Sequence, residues 1–167
     1  LGPITVVAAR VTLAALILLP IAYRRDLGRL MRRAWPRLAV LAMVEVALPF
    51  SLIAIGEHTV SSGLAGTLIA TEPLFILLLG LGWAHPAPVA RNAWAAVGTG
   101  LIGVVALLGV SGAGTGMPLI VAAGACYATG ALLVRRWFSD SPIITVTTAM
   151  LTLASPPLIA LADMTDP

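Results

Sequence analysis

The chain has 167 residues, a formal net charge of +3, 59% hydrophobic residues and only 10% charged ones. With a mean hydropathy of +1.02, that excludes an ordinary soluble domain, in which about a quarter of residues are charged. All ten basic residues are arginine, and all but Arg10 flank apolar runs, so they form no accessible face for nucleic acid. The lone Cys126 excludes an intramolecular disulfide and a cysteine-only metal cluster. Neither histidine stands in a ligand spacing with it, and no metal or other cofactor is expected.

A helix needs about 20 apolar residues to cross the hydrocarbon core. Six stretches qualify: 4–22, 38–56, 60–82, 92–110, 117–134 and 143–162. Unbroken apolar runs, not short alternating segments, predict an all-α membrane protein of six spans rather than a β-barrel. Pro3 and Pro142 fall in first turns, where the missing N–H costs nothing. Pro20, Pro49, Pro73 and Pro156–Pro157 lie deeper and are expected to bend their helices or free carbonyls. The chain opens at Leu1, almost directly on a span, and closes at Pro167 just past another, which predicts a fragment of a longer protein.

Arg24, Arg25, Arg29, Arg32, Arg33 and Arg37 fill residues 23–37 with only Asp26 against them; Arg91 flanks the fourth span, and Arg135 and Arg136 end the fifth. Alternating spans put all of these on one side, together with Trp35, Trp83, Trp94 and Trp137. The opposite turns carry Glu57, His58, residues 111–116, Asp163 and Asp166. By the positive-inside rule the segment 23–37 is a cytoplasmic loop, in an inner cell membrane.

Three charges lie inside the spans. At about 1.5 Å per residue, Glu45 is roughly 10 Å deep from the arginine side. Glu72 lies about 18 Å from the other face of a ~30 Å core. The two acids therefore share a level, and Arg10, roughly 9 Å from the outer face, has the reach to approach either. Intramembrane charges of this kind face a bundle interior or a polar cavity. Two readings stand: a substrate or proton pathway lined by Glu72, Glu45 and Arg10, or a structural ion pair, with Arg10 free to snorkel outward. Pro73 adds a backbone element, since it removes the helix donor for the Ile69 carbonyl and disfavours helical geometry at Glu72. Glu57 and His58 read as a solvated turn.

Three motifs fail on context. Gly98-Thr-Gly100-Leu-Ile-Gly103 has the spacing of a dinucleotide loop but lies within a span, where small residues predict close helix packing. The run Gly112 to Gly116 lacks the lysine ending of a phosphate loop. Ser111 in Gly109-Val-Ser-Gly112 has no histidine base in reach: His58 and His85 sit in turns, His85 on the other side. No enzymatic activity is expected.

The words Pro3-Ile4 and Thr12-Leu-Ala14 recur as Pro142-Ile143 and Thr152-Leu-Ala154, an offset of five spans. An odd number of spans would make the copies inverted. Together with Ala47-Leu-Pro-Phe50, Val60-Ser-Ser-Gly-Leu-Ala-Gly66, Ala70-Thr-Glu-Pro-Leu-Phe75, the glycine-rich 98–109 and Arg10, the chain resembles the EamA-type branch of the drug/metabolite transporter superfamily. That resemblance implies a ten-helix fold of two inverted five-span repeats around a central cavity open alternately to each side. Residues 1–110 would then be spans two to five of the first repeat, and 117–167 the first two spans of the second. Gly82-Trp-Ala-His-Pro departs from the Gly-Glu pair frequent in that family.

The expectation is a secondary transporter exporting small metabolites or drugs by alternating access, with a small-molecule substrate, the lipid bilayer and, as a further option, a second copy of itself as partners. The competing expectation is a non-transporting scaffold or assembly subunit whose acids only pair helices.

Overall fold

A computed structural model describes residues 2–81, 92, 94–95, 97–100, 102–103, 106 and 114–165. Among these every regular element is helical. Helix α1 runs Pro3–Tyr23, α2 Leu27–Leu41, and a π-helical turn over Ala42–Ala47 leads without interruption into α3, Leu48–Gly56. After a turn come α4, Ser62–Ile69, and α5, Glu72–Leu81, then α6, Met117–Phe138, and α7, Ile143–Thr165. The described residues between 92 and 106 are helical as well.

Five helices are long and apolar enough to cross a membrane: Pro3–Tyr23, Leu27–Gly56, Ser62–Gly80, Met117–Phe138 and Ile143–Thr165. They coincide with five of the six expected spans. Much of the remaining one, 92–110, lies outside the described residues, as do Trp83, His85, Arg91, Ser111 and Asp166.

The expected loop 23–37 is instead a tight corner followed by helix. Asp26 takes a left-handed conformation (φ 61°), and α2 begins at the next residue. Its arginines lowered the local hydropathy and hid the helix, yet their spacing is helical. Leu27, Leu38 and Leu41 are buried, Leu30, Met31 and Ala34 partly so, while Arg29, Arg32, Arg33 and Arg37 are exposed. That is an amphipathic pattern of period 3.6.

The prolines behave in two ways. Pro20, Pro156 and Pro157 lie within continuous helices, which they do not interrupt. Pro49 directly follows the π-turn, and Pro73 follows a true break, where α4 ends at Ile69 and α5 starts at Glu72.

Packing centres on two helix pairings. Helices α1 and α7 pack along much of their length, and they are antiparallel, since the Thr145 hydroxyl at the start of α7 donates to the Arg25 carbonyl just past the end of α1 (3.5 Å). They share a large core with α2, α3 and the end of α6: Ile4, Val7, Val11, Leu38, Leu41, Val46, Phe138, Val146, Met150 and Leu158 are all buried in it. A smaller core joins α4 to α6 through Leu64, Ala65, Leu68 and Ile120. Helix α6 thus lies between the α2–α3 helix and the α4–α5 pair, in contact with both.

Candidate functional site

The start of α6 is clamped to the turn after α3. Thr59 Oγ1 accepts a hydrogen bond from the Gly116 backbone N–H (2.8 Å) and lies 3.4 Å from the Thr115 hydroxyl. Here two backbones touch: a methyl group built on Gly116 would stand 2.7 Å from Gly56 Cα and 2.8 Å from Gly56 C. Small residues at helix contacts permit such an approach. The clamp fixes the register between two antiparallel helices, and three further contacts follow from it in order. Gly56 lies against Ile120, Phe50 meets Tyr127 edge-on with ring centroids 6.3 Å apart, and Glu45 meets Gly130.

At Gly130 the carboxyl group of Glu45 occupies the space that a side chain on α6 would fill. A methyl there would lie 2.7 Å from Glu45 Cδ and 3.1 Å from its Cβ. Glu45 Oε2 is buried and has no hydrogen-bond partner among the described residues. An unpartnered buried polar atom is costly, more so for a carboxylate in a membrane. The backbone beside it is irregular too, because Glu45 sits in the π-turn Ala42–Ala47. One extra residue per turn rotates the side chains around it, and such bulges cluster at functional sites.

The second acid arrives from the other flank of α6. The break between α4 and α5 is held by the Thr71 hydroxyl, which donates to the Leu68 carbonyl (2.6 Å), and by the Leu74 N–H, which donates to the Thr71 carbonyl (2.9 Å). Thr71 and Phe75 lean on Gly124, one turn above Tyr127. Glu72, half-buried at the first position of α5, is close enough for its charge to act on Glu45. Tyr127 lies within the field of Glu45, Glu72 and Arg10 together. The row Gly124, Tyr127, Gly130, at helical spacing of three, is therefore a wall with Thr71 and Phe75, which flank Glu72, against one end and Glu45 against the other.

Three of the four sequence-predicted residues thus share one neighbourhood, and Pro73 marks the helix break beside it. Arg10 is exposed on α1 and does not supply the missing partner of Glu45 Oε2, so the simple ion-pair reading fails for that oxygen. Tyr127 and Gly130 were missed because a tyrosine and a glycine in an apolar span are unremarkable in isolation. Their spacing from Gly124 was the available signal. The glycines at 98, 100 and 103 correct another expectation. Among the described residues, methyl groups on them meet nothing within 4 Å, and the tight packing falls on Gly56, Gly114, Gly116 and Gly130 instead.

The model of the EamA-like transporter family matches residues 1–109, a stretch that carries Arg10, the π-turn with Glu45 and the break at Glu72–Pro73. The chain belongs to the EamA-like transporter family. It is accordingly a multi-pass membrane protein of a family that moves small molecules. No curated protein and no solved structure matches the chain. The EamA-like match ends before α6, so the wall that faces the two acids, Gly124 to Gly130, lies beyond the matched residues.

Proposed function

We propose that this EamA-like chain contributes the acid-bearing half of a pathway through an inner-membrane secondary transporter, exporting a small metabolite or drug-like compound by alternating access. Glu45 and Glu72 line the pathway as substrate- or proton-binding groups, Arg10 tunes their field, and the break at Pro73 supplies a flexible, polar stretch of backbone. The observation that carries this reading is the Glu45 carboxylate, seated against Gly130 with a buried oxygen that nothing among the described residues satisfies. A group in that state is suited to accept a proton or a donor from a solute. No ion pair to Arg10 quenches it.

The proposed repeat organisation, with residues 1–110 and 117–167 in successive inverted halves, draws support from α1 and α7. They pack antiparallel around a groove of about 550 Å³ whose lining includes Thr12, Ala15, Leu16 and Leu19 on one side and Thr152, Ser155, Pro156 and Ile159 on the other. These are four pairs, each 140 positions apart. Equivalent positions of two inverted copies meet in this way about a two-fold axis in the membrane plane. On this reading the arginine-rich end faces the cytoplasm.

The test is efflux from cells expressing the protein, followed over external pH across a panel of amino acids and drug-like compounds. Glu45→Gln and Glu72→Gln each remove a charge at constant shape. Each is expected to lower efflux about tenfold or to flatten its pH dependence, the loss of one membrane-buried polar contact being worth about 1–2 kcal/mol. Efflux with unchanged rate and pH profile in both variants would discard the pathway.

A further inference from the structure

The charged end of the bundle has a geometry that the transport pathway does not use. Helix Leu27–Gly56 is 30 residues long, so at 1.5 Å per residue it extends about 45 Å. The hydrocarbon core is only ~30 Å thick. Its apolar part, 38–56, fills that thickness alone, which leaves roughly ten residues at the level of the lipid headgroups. Those residues, Leu27 to Arg37, contain four arginines and no acid. One face of the segment is pinned to the core through Leu27, Leu30, Met31, Ala34 and Leu38, and this directs Arg29, Arg32, Arg33 and Arg37 away from the protein. Ala34 leaves helical geometry (φ −126°, ψ 18°) just ahead of Pro36, so the outer half can tilt from the axis of the span. Trp35, 62% exposed at the bend, is the residue type that settles at the membrane interface.

Neighbouring elements add charge of the same sign. The corner at Asp26 sets Arg24 and Arg25 beside the start of α2, and Arg135 and Arg136 end α6, whose Trp137 and Phe138 pack into the same core. Eight arginines thus gather at one end against two aspartates, Asp26 and Asp140. Within α2, Arg32 spends one donor, Nε, on the Gly28 carbonyl (3.4 Å), which orients its guanidinium and leaves the terminal nitrogens for another acceptor. Guanidinium forks match phosphate oxygens in a bidentate way.

We propose that the exposed arginine face of α2, Arg29 to Arg37, is a binding site for the headgroups of acidic phospholipids, of the phosphatidylglycerol class. A zwitterionic headgroup offers the same phosphate but brings its own cation, which the eight arginines repel. The face selects the acidic lipid by net charge and holds its phosphate by geometry.

The experiment titrates the detergent-purified protein with phosphatidylglycerol, with phosphatidylcholine of the same acyl chains, and with inorganic phosphate, following the melting temperature and the lipid retained in native mass spectra. Phosphatidylglycerol is expected to raise the melting temperature and remain bound, an effect weakened by high salt; phosphatidylcholine and phosphate alone are expected to do neither. Arg29→Gln combined with Arg33→Gln should weaken retention about threefold or more, without altering the melting temperature in phosphatidylcholine. Arg32→Gln alone serves where the pair fails to fold, and should weaken retention in the same direction. Equal response to the two lipids, an equal response to phosphate alone, or an acidic-lipid preference that survives these substitutions would overturn the site. Because no transport is measured, its failure leaves the acid pathway untouched, and the reverse holds too.

Discussion

Along α6, helices approach until backbones touch, and buried polar groups crowd the contact: Gly116 on Gly56, Gly130 on the Glu45 carboxylate, Thr71 beside Gly124. Along the α1–α7 pairing the contact is longer but looser, lined by aliphatic and small hydroxyl side chains around an open groove. Backbone regularity follows the same division. The helices that face α6 carry a π-turn and a break, whereas α1 and α7 run unbroken through Pro20, Pro156 and Pro157. Proline therefore does not always interrupt a helix here. Two irregular stretches pair a proline with an acid, Glu45 ahead of Pro49 and Glu72 ahead of Pro73, and a third, at Ala34 ahead of Pro36, has no acid beside it. In lipid, a backbone group freed by proline needs a local substitute, and a polar interior provides one.

The largest effect expected from this contrast is at the clamp. In Gly116→Ala the new methyl meets backbone, which cannot rotate aside as a side chain can. We expect a loss of about 3 kcal/mol, at the upper end of overpacking costs, read as a fall in folded yield and in resistance to denaturation in mixed micelles. Gly66→Ala, on an exposed face with nothing within 4 Å of the added methyl, should change stability by no more than about 0.5 kcal/mol. Similar effects at the two positions would mean that the α3–α6 approach is not a fixed contact.

Gly130→Ala comes next. Its methyl meets the carboxyl and Cβ of Glu45 rather than backbone, so relief through the π-turn is available and the cost should be about 2 kcal/mol. Combined with Glu45→Ala, the clash with the carboxyl group is removed and only the 3.1 Å approach to Cβ remains, so at least half of that cost should return as a coupling term in a double-mutant cycle. Additive costs would separate the two residues and remove the seat on which the proposed pathway depends.

Much of this was legible in the chain itself. Hydropathy gave five of the observed spans, and counting residues from each membrane face singled out Glu45 and Glu72 as a pair. The helix break beside Glu72 was among the outcomes expected of Pro73, although the same chemistry at Pro20, Pro156 and Pro157 leaves the helix continuous. Three things were not legible. Helix α2 was obscured because arginines dominate a hydropathy average, although the sixfold apolar spacing from Leu27 to Leu41 was present. The π-turn has no composition of its own, and it packs against both α6 and α7. Gly130 and Tyr127 became functional candidates only through the register set at Gly116, a contact between residues sixty positions apart in sequence. Small-residue richness misled at Gly98, Gly100 and Gly103 for the same reason: a glycine permits an approach, but only a partner makes one.

The smallest prediction reverses sign, and it concerns the looser pairing. Thr152 and Thr12 stand 140 positions apart and both line the groove, yet their hydroxyls fare differently. Thr152 Oγ1 donates to the Thr148 carbonyl one turn earlier (2.8 Å), as Thr148 and Ser155 do on the same helix. Thr12 Oγ1 is buried without a hydrogen-bond partner among the described residues. Threonine and valine have nearly the same shape, so exchanging them changes polarity and little else. Thr12→Val deletes a desolvated, unsatisfied hydroxyl and should stabilise the protein by about 1 kcal/mol. Thr152→Val deletes a satisfied one and should cost about 0.5 kcal/mol, near the mean for hydrogen bonds within membranes. Opposite signs in the same denaturation assay would show that two positions equivalent by repeat have diverged in chemistry. If Thr12→Val destabilised to the same degree as Thr152→Val, the Thr12 hydroxyl would have to be donating across the groove, and α1 and α7 would be held by a polar contact like those on α6.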